Sequence, residues 1–142
     1  MMVTKKGHPK YCLTAYPGSG STKIVTDGPL YCIEDVKTLA RPESIRFVTQ
    51  KCEADVANLG WDHDDVAELL GELTSQHYRD SEWCLICGSL FFPCDAYSIC
   101  RMEFIPAARK QLPIEYFVKL AIGTSGNLVL IVSCHLPEDC NG

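Results

Sequence analysis

Basic and aromatic side chains recur through the second half of this chain in a combination suited to handling a phosphodiester. His77-Tyr78-Arg79, Asp95-Ala-Tyr97, Arg101, Lys119 and His135 supply a proton-transfer group, fixed cations and phenols. Metal-free RNA cleavage needs a base to activate the 2′-hydroxyl, positive charge for the crowded phosphate and an acid for the leaving 5′-oxygen. Histidine titrates near neutrality and suits the proton transfers. Arginine offers phosphate a planar fork that is always charged. Each residue also has a plainer reading. Lys119 can snorkel to a sheet edge, His135 can cap a strand end, and Arg79 can pair with Asp80 or Glu82.

Other chemistry-bearing clusters are weaker. Cys84-Leu-Ile-Cys87 is a zinc half-site, since two thiolates at that spacing reach one tetrahedral ion. Cys94 and Cys100 would have to complete it, although they lack the spacing of a second half-site and Cys100 falls in an extended segment. A redox role for Cys84 and Cys87 lacks the βαβ surroundings of thioredoxin-like proteins. Ser133-Cys134-His135 cannot form a nucleophile–base pair, because adjacent strand residues point to opposite faces. Asp62-His63-Asp64-Asp65 has a metal-like composition that an acidic helix start explains more simply. The chain contains no P-loop and no Gly-x-Ser-x-Gly turn.

The elements that must hold these residues follow from pattern. Ile114 to His135 reads as a hairpin, with strands over 114–122 and 127–135 around a Gly123-Thr-Ser-Gly-Asn127 turn. A period of two places Glu115, Phe117 and Lys119 on one face of the first strand. The same period gives Val129, Ile131, Ser133 and His135 a shared face on the second. Whether Lys119 and His135 meet then depends on the hairpin register.

Upstream, 22–26 reads as a short strand, and a helix is expected from Pro29 until Arg41-Pro42 stops it. An extended segment follows over 45–48. Thr49 caps a helix that Gly60 ends, and Asp62 caps another whose apolar stripe is Val66, Leu69, Leu70 and Leu73. Strands are expected near 77–83, 89–92 and 95–104, before those of the hairpin. Helices first and a meander of strands afterwards predict an α+β fold with an antiparallel sheet.

With 142 residues, the chain is sized for one domain, 1–142, comprising an irregular segment over 1–21 and a folded body over 22–142. The formal net charge of −5 argues against a protein that grips nucleic acid with its whole surface, so any such contact needs a local basic patch. Nine cysteines are spread along the chain, an odd count that reads as thiols or metal ligands. The first residues lack the apolar core of a signal peptide, and no apolar run approaches a membrane span. The expectation is a cytoplasmic protein without a membrane partner.

The order of these pieces resembles the MqsR family, the toxin ribonucleases of bacterial toxin–antitoxin pairs. The likeness runs from Ile33 to His135. Ile33-Glu-Asp-Val-Lys-Thr-Leu39 is similar to the family's first helix. Phe47-Val-Thr-Gln-Lys-Cys-Glu-Ala-Asp-Val-Ala-Asn-Leu-Gly60 is similar to its second, which also ends in Leu-Gly before an acidic turn. The family's Phe-Tyr-Lys motif stands here as His77-Tyr78-Arg79, and its Gln-Asp-Val-Tyr as Cys94-Asp95-Ala96-Tyr97. Its Tyr-Leu-Lys strand stands as Phe117-Val118-Lys119, and its closing Val-Ser-Phe-Lys as Val132-Ser133-Cys134-His135. Where the family uses Lys, Gln, Tyr and Lys, this chain has Arg79, Cys94, Phe117 and His135.

The resemblance implies three helices packed on a RelE-like antiparallel sheet. It also implies mRNA cleavage and inhibition by a cognate antitoxin. The combined expectation is an endoribonuclease that cleaves single-stranded mRNA and requires no cofactor. His135 is its acid or base, Arg79 and Lys119 its phosphate clamp, and Tyr97 the source of a hydroxyl. Arg101 and Tyr78 are the expected RNA-binding residues. The alternative is a non-catalytic module that binds a protein partner, or zinc through Cys84, Cys87, Cys94 and Cys100.

Overall fold

The computed structural model describes residues 22–87 and 90–137, with the backbone alone at Cys87. The irregular segment expected over 1–21 lies outside them. Among these residues three α-helices lie on a six-stranded, mostly antiparallel sheet, an α+β fold. The strands are β1 (Lys23–Ile24), β2 (Ile45–Phe47), β3 (Tyr78–Cys87), β4 (Leu90–Ile105), β5 (Lys110–Ile122) and β6 (Val129–His135). They stand in the order β1-β3-β4-β5-β6-β2, and among the described residues only the β2–β6 pair is parallel. Among the described residues no helix is long and apolar enough to cross a membrane.

The helices are α1 (Ile33–Leu39), α2 (Gln50–Asn58) and α3 (His63–Gly71). Thr49 caps α2 by accepting from the Cys52 amide at 3.0 Å. Gly60, at φ 77°, supplies the left-handed turn that ends it. Asp62 and Asp65 form a reciprocal capping box at the start of α3, each carboxylate accepting from the other's backbone amide. Helix α1 begins four residues later than expected, because Leu30 and Tyr31 are committed elsewhere.

That commitment is to Asp95, a fully buried carboxylate on β4. Its oxygens accept from the Leu30 and Tyr31 amides at 3.0 and 2.9 Å and from the Ser81 hydroxyl at 2.6 Å. The Tyr31 hydroxyl adds a bond to the Pro93 carbonyl at 2.7 Å. These contacts pin the chain ahead of α1 to the middle of the sheet. The core fills the space between, with Val36, Val66, Leu69, Leu70, Leu120 and Ile131 all buried.

The two strands expected over 89–92 and 95–104 are one continuous strand, β4. Pro93 does not break it because β5 begins to pair with β4 only at Asp95, so at Pro93 β4 has a free edge on that side among the described residues. Pro113 sits likewise on β5 before β6 joins at Phe117.

Candidate functional site

One face of the sheet carries the helices and the other, the open face, carries none among the described residues, although Cys84, Cys94 and Ala121 on it are buried. The expected site residues divide between these faces, and two β-bulges decide the division. On β3, Tyr78 pairs with Tyr97 and Asp80 with Ala96, which leaves Arg79 as an extra residue. On β6, Lys119 pairs with Ser133 but Leu120 pairs with Ile131, which leaves Val132 extra. A bulge re-aims the side chains beyond it.

The second bulge corrects the simple period of two. Val129 and Ile131 face the core, opposite Ile122 and Leu120. Ser133 and His135 lie on the open face, opposite Lys119 and Phe117. Without Val132 as the extra residue, His135 would follow Ile131 into the core.

Lys119, Phe117 and His135 therefore share the open face, and Arg79 joins them. The Arg79 guanidinium lies 5.9 Å from the centre of the Phe117 ring, and the His135 ring lies 6.1 Å from it on a tilted plane. Glu115, the next open-face residue on β5, has a carboxylate 4.0 Å from Arg79. That carboxylate accepts from the Ser98 hydroxyl at 2.5 Å. Arg79 thus pairs with neither Asp80 nor Glu82 among the described contacts.

The His135 ring has a defined polarity. Its Nδ1 lies 2.5 Å from the Leu136 carbonyl, which can only accept, so Nδ1 carries the proton in the neutral ring. Nε2 is then the free basic nitrogen.

Lys119 is bonded to Glu82, which also meets Lys23 at 3.2 Å. Burial alone would lower the Lys119 pKa, but the bond to Glu82 and nearby negative charge outweigh it and raise the value. Burial likewise opposes ionisation of Glu82, yet the two lysines hold its carboxyl below the ordinary value. Lys119 is therefore a charged group and a poor proton donor.

Tyr97 is a correction to the expected site. It faces the core, is fully buried, and its hydroxyl has no hydrogen-bond partner among the described residues. Burial raises its pKa. It cannot supply a hydroxyl to the open face. Tyr78 packs against it edge-on at 5.7 Å and bonds to Ser81 at 2.7 Å, so it braces the Asp95 network.

Arg101 is also on the helix side. Its guanidinium lies 5.6 Å from the Trp61 ring and 5.5 Å from the Tyr116 ring, and its Nε lies 3.4 Å from both Glu72 and Glu103. It borders a cavity of about 370 Å³ that also meets Trp61, Glu68, Ile114 and Tyr116. Arg79 does not line that cavity, whereas His135 borders an adjoining one of about 250 Å³ with Asp55, Asn58 and Leu59.

The four cysteines do not converge as one metal site. Cys94 and Cys100 lie six residues apart on the same strand, roughly 20 Å at 3.3–3.4 Å per residue. The Cys87 thiol lies outside the described side chains. Cys84 and Cys94 are free, buried thiols close together on β3 and β4, where a hydrogen bond between them lowers the Cys84 thiol and, with burial, raises that of Cys94 well above its ordinary value. Among the described residues no group of three or more His, Cys, Asp or Glu is placed to hold a metal ion.

Glu115, Ser98 and Glu82 were not among the expected site residues. Glu115 was visible in the alternation that places it beside Phe117 and Lys119. Ser98 and Glu82 required the cross-strand register. The chain matches no model of a known protein family and no curated protein.

Proposed function

We propose that the open face is the active site of an endoribonuclease that cleaves single-stranded RNA without a metal. The observation that carries this reading is the convergence of Arg79 and His135 on Phe117, each delivered by a β-bulge. Bulges are enriched next to active sites because they re-aim side chains. The α+β architecture is of the class that the resemblance to MqsR toxins implies.

In this mechanism His135 Nε2 takes the proton of a 2′-hydroxyl, and that oxygen attacks the adjacent phosphorus. Arg79 and Lys119 offset the charge that builds on the phosphate oxygens. The bond to the 5′-oxygen breaks, that oxygen takes a proton from solvent at the open face, and a 2′,3′-cyclic phosphate remains. Phe117 offers a ring on which a flanking base can stack. The biological substrate is mRNA in the cytoplasm, and a cognate antitoxin protein restrains the enzyme.

Purified protein treated with EDTA and incubated with mixed-sequence RNA should yield fragments ending in cyclic phosphate. Intact RNA would reject the proposal. Two substitutions refine it. Arg79→Ala should lower kcat/KM by about 10²- to 10³-fold, the scale of losing one charge-stabilising group. Glu115→Gln should instead tighten RNA binding, measured by fluorescence anisotropy, by about 3- to 10-fold. Its exposed pair with Arg79 contributes little, whereas its charge repels phosphate.

A further inference from the structure

The β4–β5 hairpin extends past its neighbours. β3 pairs with β4 only as far as Tyr97, and β6 pairs with β5 only as far as His135 opposite Phe117. From Ile99 opposite Tyr116 to Ile105 opposite Lys110, the two strands form a ribbon with no third strand among the described residues. One side of the ribbon is occupied, since Arg101 and Tyr116 pack with Trp61 there. The other side continues the open face that carries Phe117 and Arg79.

Alternation sets what that side presents. Ser98, Cys100, Met102 and Phe104 follow one another along β4, with Phe117, Glu115, Pro113 and Gln111 opposite them. Met102 is 61% exposed and Phe104 58%. An exposed aromatic ring and thioether on one unpartnered ribbon face are unusual for a surface that contacts only water. At the tip stands Arg109, held at φ 60°. Among the described residues it belongs to no ion pair, in a chain whose net charge is −5; Lys110, opposite Ile105, falls on the occupied side of the ribbon.

We infer that this ribbon face is a track for the single-stranded RNA that continues from the cleavage site. The inference rests on the proposed function and extends it by naming where the flanking nucleotides lie. Three features select RNA as the occupant. The face is continuous with the Phe117–Arg79 site, it offers a stacking ring, and it ends at Arg109, a cation without an ion-pair partner among the described residues that complements phosphate. From Ser98 to Phe104 it runs roughly 20 Å. That length holds a few nucleotides, near the lower end of known single-strand sites of about 4–16. Phe104 stacks a base, Met102 packs beside it, and Arg109 holds the backbone.

The test uses a labelled mixed-sequence 12-nucleotide RNA and a trinucleotide, bound to protein carrying His135→Ala so that neither is cut. Phe104→Ala should weaken binding of the 12-mer by about 5- to 50-fold, the scale of one lost stacking contact, and leave the trinucleotide unchanged. Arg109→Glu should weaken the 12-mer and flatten its salt dependence. The track is overturned if Phe104→Ala affects both RNAs equally or neither. It is also overturned if Phe104→Ala leaves RNA binding intact but dissociates an oligomer seen by sedimentation, which would make the ribbon a protein interface. RNA cleavage by the unsubstituted chain separates the two ideas. Cleavage with an indifferent Phe104 removes the track alone, whereas no cleavage removes the site on which it depends.

Discussion

Replacing Asp95 with alanine is expected to lower the unfolding free energy by about 3–5 kcal/mol, seen as a fall in Tm on the order of 10 °C. The substitution leaves the Leu30 and Tyr31 amides and the Ser81 hydroxyl without their acceptor inside the fold. Each orphaned donor bears a desolvation cost that a surface group would not. The loss should also release the chain before α1, so amide exchange at Leu30 and Tyr31 should accelerate more than exchange in the β4–β5 hairpin. Unchanged exchange there would show that packing alone holds this segment.

Asp95 also gives stability a pH dependence whose sign is unusual for a carboxylate. Burial pushes its pKa up to about 6 against the three hydrogen bonds that favour the charged form. The folded chain then holds this proton more tightly than the unfolded chain, so the contribution is largest below the ordinary value of 3.8 and is lost as pH rises through about 6. Asp95→Asn removes the titration. Its cost, measured by urea unfolding, should be greater at pH 4.5 than at pH 7 by about 2 kcal/mol. A cost that grows with pH would reverse the assignment.

The second large effect is on catalysis. His135→Ala is expected to slow RNA cleavage by about 10²- to 10⁴-fold, the range for removing a positioned general base. The fold should tolerate it, because the side chain is partly exposed on the open face and its hydrogen bond is to the neighbouring Leu136 carbonyl. A circular dichroism spectrum and Tm close to those of the unsubstituted chain would separate lost chemistry from lost structure.

What was legible in the sequence follows the range of the interactions involved. Thr49, Gly60 and Asp62 announce the ends of α2 and α3 because capping is a local matter between residues a few positions apart. The class of the fold was legible for the same reason, from helical stripes followed by strand-like runs. The site was only half legible. Glu115, Phe117 and Lys119 alternate on one unbroken stretch of β5, so their shared face could be read directly. Arg79 and His135 reach that face through bulges, and a bulge is fixed by the partner strand's register. Nothing in Tyr78-Arg79-Asp80 or in Ile131-Val132-Ser133 marks the extra residue. The same limit put Tyr97 on the wrong side of the sheet and hid the free edge that lets Pro93 remain within β4.

The central claim is that chemistry belongs to the open face and not to the helix face. The most direct measurement compares single-turnover RNA cleavage by His135→Ala and Tyr97→Phe with that of the unsubstituted chain. Tyr97→Phe removes only a buried hydroxyl that has no partner among the described residues and should cleave at the unsubstituted rate, while His135→Ala should be nearly silent. Loss of cleavage in Tyr97→Phe together with full activity in His135→Ala would contradict the claim.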